Sequence, residues 1–270
     1  MSDTFMVAKN NEVTLKIVYD SCPENPRDWD NLGTMVAWHR KYDLGDKHRY
    51  ADTTDLFESL IRDVLFDCVM EFLEPKDLEG FVKQYYTILP LYLYDHSGTI
   101  MNTTGFSCPW DSGQVGWIFC SHKRMKEETG YTKDELFSTD KHRTPQIGER
   151  VKIASRDDLG QIKSISGNIA VVDFDYNKAL NYRKKENIVS VPLTEIKEVL
   201  SNKAEEILVN EVKIYDQYLR GDVYSFILED NGDVIESCHG FYGNNFKENG
   251  MLDCIPNKYK YLIDRLTICA

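Results

Sequence analysis

The sequence lacks most of the marks by which a chemistry is read directly from a chain. Its seven cysteines are odd in number, scattered and never arranged as CxxC. That argues against a disulfide framework and against a structural zinc site of the usual spacing, and for a reducing compartment. No apolar run approaches the ~18 residues of a membrane span, and MSDTFMVAKNNEV carries no apolar core of a signal peptide, so a cytoplasmic protein is expected. Positive charge is in deficit: 32 Lys and Arg stand against 44 Asp and Glu, a formal net charge of −12. Such a balance disfavours nonspecific attraction to DNA, RNA or anionic membrane, because phosphate binding needs clustered cations.

What is present is a foldable chain. With 270 residues, 42% of them apolar and 12% aromatic, there is material for one large domain or two small ones with ample core. Residues 12–19 (EVTLKIVY) alternate apolar and polar and predict a strand. Residues 20–45 read as a long aromatic loop with an extended piece over 34–39. Apolar residues at helical spacing predict a helix from a Thr54 cap to Leu73 and a shorter one over 76–86. The stretch 89–121 (LPLYLYDHSGTIMNTTGFSCPWDSGQVGWIFCS) predicts a strand opened by Pro90, a polar loop at Asp95 and His96, and a strand closing at Cys120. Residues 122–130 (HKRMKEETG) read as a helix stopped by Gly130, and 132–137 as a further helical turn.

Beyond residue 143 the texture changes to short β segments punctuated by Gly148, Gly160 and Gly167, which predicts a small SH3-like barrel over 144–192. A long helix capped by Thr194 follows over 193–219, then a hairpin turning at Asp230–Asn231–Gly232, then an amphipathic helix over 257–268. The expected fold class is α+β. Strands near residues 13, 90, 115, 224 and 234 form one mostly antiparallel sheet covered by helices, in a core domain of 1–143 and 193–270 with 144–192 inserted.

Several groups could carry chemistry. The Asp95–His96–Ser97–Gly98 loop follows a strand end, where His96 would serve as a base or ligand; the plain alternative is a turn in which Asp95 bonds its own backbone. Cys238 and His239 are neighbours on a strand and point to opposite faces, so they are poor partners for each other. Cys108 remains a possible partner for His239 or His96, though a small buried hydrophobe is the commoner role. Asp20, Asp28, Asp30, Asp95, Asp111, His39 and His239 are the pool for a divalent cation, but no pair has motif spacing, and no metal site or cofactor is expected. Gly113–Gln114–Val115–Gly116 lacks the lysine and helix of a phosphate loop and reads as tight strand entry. Trp29, Trp38, Trp110 and Trp117, with Tyr92, Tyr94, Phe241 and Tyr242, are dense near predicted loop ends, where they pack the fold or anchor a partner. The binding candidates are therefore Trp29, Asp30, His39, Asp95, His96, Trp110, Asp111 and His239, and none is assigned a catalytic role. The 144–192 segment is less acidic than the rest, with one basic cluster at Arg183–Lys184–Lys185.

Three segments, NPRDWDNLGTMVAWHRKYDLGD, LPLYLYDHSGTIMNTTGFSCPWDSGQVGWIF and EVKIYDQYLRGDVYSFILEDNGDVIESCHGFYG, together resemble a family of uncharacterised proteins of phages, prophages and plasmids of Gram-positive bacteria. The similarity covers about two-thirds of the chain and skips 144–192. It implies a cytoplasmic accessory protein of a mobile element and supplies no activity. The expectation is a non-enzymatic protein that binds and modulates a host nucleic-acid-handling or anti-phage defence protein through that protein's basic surface. A hydrolase or nucleotide-modifying enzyme with Asp95, His96, Asp111 and His239 in one cleft is the alternative, and a nucleotide or small-ligand sponge a third. No membrane is expected as partner; direct nucleic-acid binding is not expected of the core but stays open for the insert.

Overall fold

The structure is a computed structural model that describes residues 4–65, 73–96, 98–106, 110–137, 145, 147, 149–156, 160–174, 188–199 and 202–269. Its elements, in chain order, are β1 (Thr4–Asn10), β2 (Val13–Tyr19), β3 (Thr34–Ala37), α1 (Thr53–Arg62), α2 (Leu78–Tyr85), β4 (Tyr86–Asp95), β5 (Thr99–Asn102), β6 (Ser112–Ser121), α3 (His122–Thr129), α4 (Lys133–Phe137), β7 (Arg150–Ile153), β8 (Gly160–Ser166), β9 (Ile169–Asp173), β10 (Ile188–Pro192), β11 (Ile196–Val199), α5 (Lys203–Leu219), β12 (Val223–Asp230), β13 (Asp233–Tyr242), α6 (Met251–Cys254) and β14 (Thr267–Ile268). Short 3-10 segments lie at Pro26–Asp28, Leu193–Glu195 and Asn257–Arg265. The fold is α+β with antiparallel sheets. The chain divides into two compact units, Met1–Asp30 with Lys213–Ala270, and Asn31–Val212. This boundary differs from the expected one, which set 144–192 apart from everything else.

The first unit is built on an antiparallel sheet of order β13-β12-β2-β1-β14. Both of its hairpins turn on residues that accept positive φ: Asn11 at 52° between β1 and β2, then Asn231 at 51° and Gly232 at 89° between β12 and β13. Leu15, Ile17, Phe226 and Leu228 are fully buried and pack with Met251, Ile255 and Leu262 from the C-terminal segment. That segment is not the amphipathic α-helix expected over 257–268. Pro256 precedes a 3-10 helix that buries Tyr259, Leu262 and Ile263, and the chain then extends as β14 to pair with β1.

The second unit carries two further sheets, of order β3-β6-β4-β5 and β10-β9-β8-β7-β11. The strands near 90 and 115 thus belong to a different sheet from those near 13, 224 and 234, and the single expected sheet is corrected to two. Alternation shows that a segment is a strand, but not which core its inward face joins. Here Ile88, Trp117 and Phe119 pack with α1 and α2 residues (Leu56, Phe57, Leu60, Ile61, Val82), while the first unit keeps its own core. Gly116 sits where β3 and β6 nearly touch: a Cβ there would lie 2.0 Å from the Val36 carbonyl oxygen. Gly116 therefore serves close strand packing. Pro90 lies inside β4, not at its start, but β5 flanks that strand only from Tyr92 onward, so a missing amide donor is tolerated.

Three helix limits move for local reasons. The cap of α1 is Asp52, not Thr54: its carboxylate accepts from the Asp55 amide at 3.0 Å, and Asp55 accepts from the Ala51 amide at 2.9 Å, a reciprocal capping arrangement. That helix ends at Arg62, the chain turns over 63–65, and residues 66–72, with Cys68 and Val69, lie outside the described residues. The long helix expected from Thr194 begins only at Lys203, where Asn202 Oδ1 accepts from the Glu205 amide at 2.9 Å. Ile196–Val199 is instead an edge strand whose Ile196 and Val199 pair with Ile153 and Val151 of β7. Pairing to an existing sheet outweighs helical spacing over so short a stretch.

Candidate functional site

Because β4 and β6 run antiparallel, Tyr86 faces Ser121 at one end of their ladder and Tyr94 faces Ser112 at the other. Eight residue steps along β4 at ~3.3 Å place the two ends roughly 26 Å apart. Each end carries a distinct group of side chains.

At the Asp95 end, the β4–β5 turn, the start of β6 and the loop after β3 meet. The Asp95 amide donates to the Asp111 carbonyl at 2.9 Å, which ties the two loops together. The Asp95 carboxylate is engaged from outside its own loop. It accepts from Lys41 Nζ at 3.2 Å and Tyr42 Oη at 3.0 Å, and these bonds, Lys41 first, lower its pKa below the ordinary carboxylate value. His39 stacks on the Tyr42 ring at 5.0 Å between centroids and 5° between planes, and His39 Nδ1 accepts from the Lys41 amide at 3.3 Å. His96 Nδ1 lies 3.6 Å from Asp111 Oδ2, with the two side chains 63% and 37% exposed. Trp110 immediately precedes Asp111 and is 93% exposed.

Five of the eight sequence candidates, His39, Asp95, His96, Trp110 and Asp111, therefore fall at one end of one sheet. The other three, Trp29, Asp30 and His239, belong to the other unit. There Asp20 accepts from the Gly240 amide at 3.0 Å and the Cys22 amide at 3.1 Å, with the exposed His239 ring 3.8 Å from the same carboxylate. Trp29 donates from Nε1 to Glu24 at 3.2 Å and meets the Tyr242 ring edge-on at 5.1 Å. The Tyr242 hydroxyl donates to the Glu24 carbonyl at 2.6 Å and is pushed up to about 12, by burial first and then by Glu24 and Asp20. Asp30 is simply exposed. Among the described residues, no three His, Cys, Asp or Glu side chains group to hold a metal ion. Cys108, Ser97 and the Arg183–Lys184–Lys185 cluster lie outside the described residues.

The opposite end of the ladder holds a feature that the sequence reading passed over. A cleft of about 480 Å³ opens between the ends of α1, α2 and β6 and the helices α3 and α4, lined by Asp63, Val64, Gln84, Tyr85, Tyr86, Ser121, His122, Lys123, Lys126, Lys133 and Phe137. The His122 ring packs 4.3 Å from the Phe137 ring. Burial, then the Lys133 charge, hold its pKa below the ordinary histidine value, partly offset by hydrogen bonds to the backbone of Tyr86 and Gln84. Tyr86 is pushed up to about 12, by burial first and then by Asp63. The sequence signal was the run of lysines in HKRMKEETG and at Lys133, which helical periodicity alone reads as a solvated face.

No protein-family model, curated protein or solved structure matches the chain.

Proposed function

We propose that this chain is a non-enzymatic binding protein whose Trp110 end docks on a basic site of a partner protein. The observation that carries this reading is Trp110, 93% exposed beside Asp111 and the Asp95 turn. A large aromatic ring held in water on an acidic rim is the composition of an interface anchor. Burying ~150–250 Å² of indole at ~25 cal/mol per Å² is worth about 4–6 kcal/mol before the costs of association are subtracted. The net charge of −12 favours encounter with a cationic partner and selects against nucleic acid. His96 and Asp111 resemble a base and its orienting carboxylate, yet both stand open to solvent, and Asp95 is already engaged by Lys41 and Tyr42. A docking rim fits that exposure better than a hydrolytic centre, which works by excluding water.

The partner's class, a host nucleic-acid-handling or anti-phage defence protein met in the host cytoplasm, rests on the family resemblance alone. The reading of 144–192 as a small SH3-like barrel is part of the same proposal. Its support is the sheet order, in which the first strand β7 lies between β8 and the returning last strand β11, joined to β10 through the single 3-10 turn at Leu193–Glu195. The test is affinity capture from host lysate with the wild-type chain and with Trp110→Ala and Asp111→Asn. A protein held by the wild type, released by salt and lost from both variants is the expected result. Identical captured sets for all three chains would overturn the proposal.

A further inference from the structure

We infer that the cleft at the Tyr86–Ser121 end of the β4–β6 ladder is a binding site for a mononucleotide, with its phosphate against Lys123, Lys126 and Lys133 and its base against the aromatic wall. The proposal is independent of the docking reading, which concerns the other end of the same strands.

Charge is the first argument. Three lysines and one carboxylate, Asp63, line this cleft in a chain of net charge −12. Among the described residues, none of the three lysines forms an ion pair, whereas Lys16, Lys41, Lys76, Lys83 and Lys247 all do. Cations grouped without partners repel one another and raise the free energy of the empty site, and a bound anion would relieve that repulsion.

The helix that supplies two of them sharpens the point. The first turn of α3 contains His122, Lys123 and Arg124 and no acidic residue. Cations at a helix N-terminus oppose the macrodipole, and carboxylates are favoured there for stability. The residue choice is therefore poor for an isolated helix and good for an anion held between the lysines and the start of the helix.

Size and lining supply the rest of the ligand. About 480 Å³ falls within the usual range for small organic ligands and exceeds what an isolated phosphate fills. Tyr85, His122 and Phe137 line the cleft with aromatic rings, and Val64 adds an apolar side chain. Aromatic side chains stack bases of any identity, because every base has a π-face. Gln84 and Asp63 are placed on the lining to bond base edges or ribose hydroxyls.

The test is titration calorimetry on the full chain with adenosine monophosphate, adenosine and inorganic phosphate as separate probes. The monophosphate is expected to bind at least about tenfold more tightly than either of the other two. A lysine–phosphate contact is a hydrogen bond between charged groups, so Lys126→Gln and Lys133→Gln should each weaken it by about tenfold or more. These lysines are exposed, so the variants are expected to keep the wild-type melting temperature. Tyr85→Ala should weaken adenosine monophosphate without changing phosphate binding, and Trp110→Ala should leave both unchanged. No heat with adenosine monophosphate, equal affinity for inorganic phosphate, or unaltered affinity in both lysine variants would overturn the inference.

Discussion

Gly116→Ala places a methyl group where the sheet has no space for one. The new Cβ would stand 2.0 Å from the Val36 carbonyl oxygen and 2.7 Å from the Ala37 Cα, both backbone atoms that no rotamer change can move aside. Either β6 and β3 move apart by more than an ångström or β3 leaves the sheet. A local shift of that kind costs ~1–3 kcal/mol, as overpacking does in a close-packed interior. Release of β3 costs more, because Met35 and Val36 are fully buried and each is worth ~1.5–3 kcal/mol, apart from the ladder from Thr34 to Ala37. The expected loss is therefore at least about 1 kcal/mol, or a fall of at least roughly 2–4 °C in Tm for a unit of this size. Gly113→Ala is the control, since a Cβ there meets nothing within 4 Å. Thermal unfolding followed by circular dichroism compares the two. If Gly116→Ala melts with Gly113→Ala and the wild type, the close approach of β3 and β6 is not real. The account of how β6 carries both candidate sites would then need rebuilding.

Glu211 accepts from the Leu32 amide at 2.9 Å and the Gly33 amide at 3.0 Å, so Glu211→Ala strands two donors and should cost about 2–4 kcal/mol in chemical denaturation, with Glu211→Gln costing less. The pKa of Asp95 is lowered by Lys41 and then Tyr42, so this pairing is fully present above the ordinary carboxylate pKa and is lost as pH falls through the lowered value; an NMR titration should show the Asp95 pKa rising in Lys41→Met. The buried Cys120 thiol is pushed up to about 11, chiefly by burial, so alkylation of the folded protein followed by mass spectrometry should label the exposed Cys22 and Cys269 and reach Cys120 only on unfolding.

How far the sequence could be read depended on whether its signals were local. The β12–β13 hairpin was legible because Asn231 and Gly232 tolerate the positive φ that a tight turn requires. The helix α3 was legible because Gly130 stops it in the left-handed region at φ 69°. Of Asp95, His96, Asp111 and His239, expected in one cleft, the first three share a sheet end and His239 belongs to the other unit, and the hold of Lys41 and Tyr42 on Asp95 was not legible, since those residues lie 54 and 53 positions away. The division of strands between two sheets was not legible for the same reason: Ile17 and Ile88 look alike in sequence and enter different cores. The edge strand β11 was read as helix because Ile196, Val199 and Leu200 satisfy helical spacing, and only pairing with β7 decides otherwise. The lysine cleft escaped notice because its lining comes from α1, α2, β6, α3 and α4, and no single stretch shows a concavity.

The docking claim is tested most directly by a photo-reactive amino acid placed at position 110 in the protein expressed in its native cell, with the same residue at position 234, where Val234 is also exposed, as the control. The account predicts a discrete protein adduct on irradiation from position 110 and none from position 234. No adduct from position 110, or the same adducts from both positions, would contradict it.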